Sequence, residues 1–229
     1  MILYDISVMT KLRFKAILFD LDGTLLDTLR DLADSMNAVL GRHDMNTFPV
    51  DDYRFFVGKG LRELIRCVLP EDKISEQTID EFLIAMRFEY SKRWADNSKP
   101  YPGVPELLDE LQKINLSMAV LSNKADEFTQ VMVRTLLPKW EFQSIRGLKD
   151  GLPAKPDPTS ALQIAHELKI QPSDFIYLGD TGIDMQTANA AGMYAVGALW
   201  GFRTAEELRV NGAKILIKSP LQVLELFNL

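Results

Sequence analysis

Lys15-Ala16-Ile17-Leu18-Phe19-Asp20-Leu21-Asp22-Gly23-Thr24-Leu25-Leu26-Asp27 is the stretch on which the fold turns. Ala16 to Phe19 form an apolar run with the length and bulk of a strand buried on both faces. The run stops abruptly in two aspartates and a glycine. Carboxylates so close together repel, and burying either one unpaired is costly. A core strand that ends this way points to a cation or a reaction at its tip. Asp20 and Asp22 project to the same side while the chain stays extended. Gly23 then permits a sharp turn, and Thr24 offers a hydroxyl just beyond. Taken alone, the stretch is also readable as a strand leaving for a solvated acidic turn. The remainder of the chain decides between the two.

On the C-terminal side the pattern is helical. Leu29, Leu32, Ala33, Met36, Val39 and Leu40 recur at helical spacing, as do Leu61, Leu64, Ile65 and Val68, and then Ile79, Phe82, Leu83, Met86, Tyr90 and Trp94. No strand is predicted between Leu29 and Lys99. Pro100-Tyr101-Pro102-Gly103 then breaks the pattern. Beyond it, helices alternate with short apolar strands: Ser117 to Leu121, Phe142 to Arg146, Phe175 to Leu178, and Tyr194 to Val196. Such alternation predicts an α/β fold with a doubly wound parallel sheet. The expected organisation is a core domain over residues 14–28 and 100–229, an inserted all-helical domain over 29–99, and a loose lead-in over 1–13.

The composition narrows the function class. A chain of 229 residues can bury a substantial core. Its formal charge of −6 argues against a nucleic-acid surface, which needs a basic face. No apolar run reaches the length of a membrane span. The N-terminus carries no recognisable signal peptide, although Met9 is an alternative start. The single cysteine, Cys67, excludes an internal disulfide and fits a reducing, cytoplasmic compartment. Its apolar neighbours predict a core thiol. His43 and His166 are too few for a histidine-built zinc site and are expected to be structural or surface residues.

In an open α/β sheet, ligands bind beyond the carboxyl ends of the strands, and every such end here is polar. Asp20 and Asp22 follow the first strand. Ser122, Asn123 and Lys124 follow the second. Gly179-Asp180-Thr181-Gly182-Ile183-Asp184 follows the fourth, and Ala154-Lys155-Pro156-Asp157 precedes the helix leading into it. Asp20, Asp22 and Asp180 without histidine or thiol partners suit a hard cation that takes oxygen ligands, magnesium before zinc. Ser122 and Asn123, expected at the start of a helix, suit an anion, and Lys155 adds a full positive charge. Together these groups describe a seat for a phosphoryl group. With no hydroxyl–histidine pair, a carboxylate is the natural nucleophile. A second carboxylate nearby can protonate the leaving oxygen and later activate water. Asp22 needs a raised pKa for the acid step, which a neighbouring carboxylate and partial burial are expected to supply. Lys59, between Gly58 and Gly60 in the helical segment, is expected to reach over the site and read the non-phosphate part of a substrate.

Asp20-Leu21-Asp22-Gly23-Thr24, Ser122 closing an apolar strand, Lys155 before Pro156, and Gly179-Asp180 with Asp184 resemble, in order and spacing, the motifs of the haloacid dehalogenase superfamily. The resemblance implies Asp20 as nucleophile, Asp22 as general acid/base, and Ser122 and Lys155 as phosphate contacts. It further implies Mg²⁺ bound by the Asp20 carboxylate, the Asp22 backbone carbonyl and Asp180, with Asp184 near the metal or orienting Lys155. Thr24 is expected to support the loop and border the substrate. The helical insertion falls where this superfamily carries its type-1 cap. Val57-Gly58-Lys59-Gly60, Tyr101-Pro102-Gly103, Ser122-Asn123-Lys124, Lys155-Pro156-Asp157-Pro158 and Trp200-Gly201-Phe202 are most similar to phosphoglycolate phosphatase-like members. The expected partner is a small phosphorylated metabolite, with no nucleic acid and no membrane, and the protein a monomer or homodimer. The Trp200–Arg203 loop is expected to be a packed connection. A β-phosphoglucomutase-like phosphomutase, or a phospho-accepting or phosphate-binding module without turnover, are the alternatives.

Overall fold

The computed structural model describes residues 14–227, so the expected lead-in over 1–13 lies outside the described residues. The predicted first strand is β1 (Ala16–Phe19), buried at all four positions. It is followed by β2 (Leu26–Asp27), α1 (Leu29–Arg42), α2 (Tyr53–Phe56), α3 (Leu61–Val68), α4 (Glu76–Arg93) and β3 (Lys99–Pro100). Alternation then begins with α5 (Val104–Lys113), β4 (Ser117–Ala125), α6 (Asp126–Leu136), β5 (Ser144–Leu148) and α7 (Thr159–Leu168). It ends with β6 (Phe175–Gly179), α8 (Gly182–Ala190), β7 (Tyr194–Ala198), α9 (Ala205–Val210) and β8 (Ile215–Ile217).

Six strands form a parallel sheet in the order β5-β4-β1-β6-β7-β8. The chain leaves β1 for β4 and β5 on one side and returns to β6, β7 and β8 on the other. The order reverses at β1, and the crevice of such a sheet opens at the carboxyl ends beside that reversal. Strand alternation explains the burial on both faces. Ile17 and Phe19 join the apolar cluster that includes Leu107 and Leu108 of α5, while Ala16 and Leu18 join Ala161 and Ile164 of α7 and Met185 of α8.

Helices α1 to α4 lie between β2 and β3, which pair antiparallel as a two-residue ribbon. Met36 and Val39 of α1 and Ile79, Phe82 and Met86 of α4 share one cluster with the first face of the sheet, so the helical segment is not sealed off from the core. Ser75 caps α4 by accepting the Thr78 N–H. At the base of the segment, the buried Asp31 carboxylate in the first turn of α1 accepts hydrogen bonds from both the backbone and side chain of Asn97 and of Ser98, at 2.7–3.0 Å. It thereby ties the way in to the way out.

Three expectations are corrected. The β2/β3 ribbon and the edge strand β8 went unpredicted, because two or three residues carry no periodicity. Strand β5 begins at Ser144, since Phe142 leaves the ladder to pack edge-on against Phe19, with ring centroids 6.4 Å apart. Cys67 is exposed, not a core thiol, because the buried stripe of α3 runs through Leu64, Ile65 and Val68. Both histidines are exposed, as expected. Among the described residues no helix is long and apolar enough to cross a membrane.

Candidate active site

The tips of β1, β4 and β6 meet at one charged cluster. The Asp20 backbone N–H still donates to Leu178 O, at 2.9 Å, so the sheet sets the position of the carboxylate that follows β1. The Lys155 ammonium donates to Asp20 Oδ1 at 2.7 Å, to Asp184 Oδ1 at 2.7 Å and to the Leu121 carbonyl at 3.1 Å. Asp184 sits in the first turn of α8, where its other oxygen accepts from the Thr181 N–H and hydroxyl as half of a reciprocal cap. Asp180 is held from both sides, by the Thr24 hydroxyl at 2.9 Å and the Phe202 N–H at 2.8 Å. Backbone packs directly on this carboxylate. A Cβ at Gly23, whose φ is +92°, would fall 2.3 Å from Asp180 Oδ2, and one at Gly201 would fall 2.3 Å from Asp180 Cβ. Neither position has room for a side chain.

Asp20, Asp180 and Asp184 are all buried, with one oxygen of each within 4.8 Å of the others. One ammonium, that of Lys155, meets two of the three, Asp20 and Asp184. Burial pushes the Asp20 carboxyl up to about 7, with Lys155 pulling it down and Asp184 adding to the rise. Burial, followed by the Asp20 and Asp184 charges, lifts Asp180 well above the usual carboxylate range. Burial works against the Lys155 charge, but Asp184 and Asp20 outweigh it and hold the lysine protonated well above its ordinary value. Fully ionised, the three carboxylates would outweigh the one lysine, and the raised Asp20 and Asp180 values reflect burial together with that crowding. The donors of the cluster are all oxygens, which suits a hard divalent cation of the magnesium type, and Asp20, Asp180 and Asp184 are placed to hold one.

Asp22 lies apart from these three. Its carboxylate accepts from the Thr28 hydroxyl at 2.7 Å and from the Lys124 ammonium at 3.1 Å on both oxygens. Lys124 in turn stands 4.6 Å from the centre of the Tyr90 ring, which α4 brings down over the sheet. The charged group in direct contact with Asp22 is thus a lysine, while Asp22 is still near enough for its charge to add to the rise at Asp20. A small cavity of about 40 Å³ opens between Asp20, Asp22 and Ser122 on one side and Val57, Leu61, Leu64, Tyr90 and Phe128 on the other.

Several expected residues are placed differently from their reading. Ser122 borders the cavity but caps no helix: α6 starts at Asp126 behind Ala125, and Ser122 Oγ accepts the Lys124 N–H at 3.2 Å. The β4/β5 register shifts between Leu121 and Ala125, and this irregularity turns Ser122 to Lys124 out of the ladder toward the site. The Asn123 side chain is engaged as a strut, donating to Gly58 O and Lys155 O and accepting the Lys155 N–H. The Thr24 hydroxyl is taken up by Asp180, so Thr24 supports the site without facing the cavity. Lys59 is exposed and borders an outer groove with Glu63, Lys155, Gln186 and Glu207, whereas Gly58 and Gly60 border the cavity. Lys124, Thr28 and the Phe202 N–H had no assigned role. Lys124 was visible among the polar residues after the second strand; a backbone donor from a distant loop leaves no signal in sequence.

The chain is similar to known proteins along nearly its whole length. Residues 17–198 match the sequence family described as haloacid dehalogenase-like hydrolase. A phosphoglycolate phosphatase of Nitrosospira multiformis is 33% identical over 221 residues, covering 95% of this chain and 97% of that protein. One of Aquifex aeolicus is 32% identical over 188 residues, covering 82% and 86%. Among solved structures, a Lactobacillus delbrueckii protein provisionally described as a phosphoglycolate phosphatase superposes with a TM-score of 0.86 at 28% identity, covering 93% and 97%. A haloacid dehalogenase-like family protein of Streptococcus pneumoniae shares the fold, with a TM-score of 0.84 at 24% identity and coverage of 94% and 99%.

Proposed function

The chain belongs to the haloacid dehalogenase-like hydrolase family, and from that premise we propose that it is a cytoplasmic, magnesium-dependent phosphatase of a small phosphate monoester, phosphoglycolate being the leading candidate. The observation that carries this reading is the meeting of Asp20, Asp180, Asp184 and Lys155 at the strand tips, beside a cavity floored by Asp20 and Asp22. The names of the relatives support the substrate class.

In the proposed reaction, a carboxylate oxygen of Asp20 attacks phosphorus and the bond to the ester oxygen breaks, leaving an aspartyl phosphate. Asp22, held in place by Thr28 and Lys124, gives a proton to the departing oxygen. It then takes a proton from the water that cleaves the acyl phosphate. Ser122 and Lys155 contact the phosphoryl oxygens. Asp20 and Asp180, with the Asp22 carbonyl, would hold a magnesium ion, and Asp184, which could also reach it, orients Lys155. The metal supplies positive charge that offsets the carboxylates and polarises a phosphoryl oxygen. The helical segment over residues 29–99 acts as a cap: its Val57, Leu61, Leu64 and Tyr90 keep bulk water from the cavity. Those apolar walls offer few partners for the hydroxyls of a hexose, which favours a small ester over a sugar phosphomutase substrate.

The test is multiple-turnover release of phosphate from para-nitrophenyl phosphate with magnesium, abolished by EDTA, followed by a ranking of phosphate esters by kcat/KM. Phosphoglycolate is expected to rank above hexose phosphates. Conversion of a hexose 1-phosphate to its isomer in place of phosphate release would overturn the phosphatase reading.

A further inference from the structure

Two arginines cross between the cap segment and the core in opposite directions. Arg203, beyond β7, donates from Nη2 to the Val57 carbonyl at 2.9 Å and to the Phe55 carbonyl at 3.4 Å. Its side chain is only 11% exposed, and its Nε is steadied by Glu207 at 3.4 Å. Arg54, on α2, donates the other way, to the Gly201 carbonyl at 3.2 Å. The guanidinium–carbonyl bonds therefore clamp the 200–203 loop against the end of α2, the same stretch whose Val57 and Gly58 border the cavity.

The clamped loop is also the one that holds Asp180. The Phe202 N–H donates to Asp180 Oδ2 at 2.8 Å, and the Trp200 indole donates to the Thr24 carbonyl at 3.0 Å. The Thr24 hydroxyl holds the other Asp180 oxygen. Gly201 packs so tightly on Asp180 that the loop cannot shift without the carboxylate feeling it. A chain of direct contacts thus runs from the cap carbonyls through Arg203 and Phe202 to Asp180. The loop is packed, as expected, and it also ties the Asp180 carboxylate to the helical segment.

We propose that Arg203 is a positioning residue, which seats the 200–203 loop on the cap segment and so sets the Asp180 carboxylate in register with the covered state of the site. The inference rests on the reading of Asp180 as a cation ligand. Its physical basis is that a carboxylate bound by a fixed donor loses less freedom on taking a metal, whereas a loosened donor lets it rotate away. The clamp also makes the effect reciprocal: a cation that fixes Asp180 holds the loop, and the loop holds the cap.

The experiment measures Mg²⁺ binding to the substrate-free enzyme by titration calorimetry, alongside the rate of limited proteolysis within residues 54–60. Arg203→Met keeps the aliphatic stem and removes the donors. It is expected to weaken Mg²⁺ binding about tenfold, as loss of an outer-shell partner does, and to lose the protection that Mg²⁺ gives the 54–60 segment. Arg203→Lys, which retains one donor and the charge, is expected to recover part of both. Arg54→Met, cutting the opposite bond, is expected to move both readouts in the same direction by a smaller factor, and it serves if Arg203→Met fails to fold. Unchanged Mg²⁺ affinity in folded Arg203→Met, with or without faster proteolysis, would overturn the proposal. Asp180→Asn separates the two levels: if that variant binds Mg²⁺ like the parent, the metal reading itself fails, whatever Arg203 does.

Discussion

Two of the places where this molecule buries carboxylates do so by opposite means. At the root of the helical segment, Asp31 is surrounded by neutral donors: the amide and side chain of Asn97, and the amide and hydroxyl of Ser98. At the strand tips, Asp20, Asp180 and Asp184 crowd within 4.8 Å of one another, with a single ammonium bridging Asp20 and Asp184. The first arrangement is complete in itself and joins two chain segments. The second crowds mutually repelling acids in a buried place, which natural cores avoid unless a cation supplies the balance. A buried acid satisfied by dipoles is a structural tie, whereas buried acids that share one cation mark a place for chemistry.

The comparison breaks most visibly in activity. Asp20→Asn is expected to lower kcat by at least about 10⁴-fold, as loss of a nucleophile does, while leaving the fold intact by circular dichroism. Asp31→Ala is expected to act on stability instead. It strands buried donors of Asn97 and Ser98 and should cost about 2–3 kcal/mol in denaturant unfolding. A loss of activity per folded molecule as large as that of Asp20→Asn would erase the distinction between the two regions. Asp180→Asn sharpens it. In EDTA the lost hydrogen bond is offset by removal of a crowded charge, so the expected cost is under about 1 kcal/mol. Magnesium at a hundred times its Kd should stabilise the parent by about 2.7 kcal/mol and Asp180→Asn by much less. Lys59→Ala is the smallest expected effect. Its side chain borders the outer groove, so ratios of kcat/KM among phosphate esters should shift by less than about twofold, given how little an exposed charge contributes.

Much of this was legible in the chain before any coordinates. The abrupt end of Ala16–Phe19 in two acids announced both the central strand and its polar tip. Alternation after Pro100 announced the parallel sheet, because burial on both faces leaves uniform apolar runs that need no alignment to read. Asp180 and Lys155 were found because topology brings the strand ends together, which is a rule about folds and not about neighbours in sequence. The direct partner of Asp22 was not legible, because the bulged end of β4 delivers Lys124 from far along the chain. The orientation of Lys59 was not legible, because a Gly58-Lys59-Gly60 turn does not say which of its residues faces inward; the structure sets it on an outer groove that also holds Lys155. The Phe202 N–H and the Arg203 contacts were invisible, since main-chain groups and backbone carbonyls carry no residue-type signature. Cys67 shows the same limit at smaller scale: apolar neighbours in sequence are not neighbours on a helix face.

The most direct measurement bears on the bond between Asp20 and phosphorus. Enzyme quenched with acid during steady-state turnover, then reduced with borohydride, is digested and sequenced by mass spectrometry, since borohydride converts an acyl phosphate of aspartate to homoserine. The expected result is homoserine at position 20, dependent on magnesium and on substrate and absent when either is omitted. Sustained phosphate release with Asp20 unmodified, or with homoserine at another aspartate, would contradict the proposed chemistry.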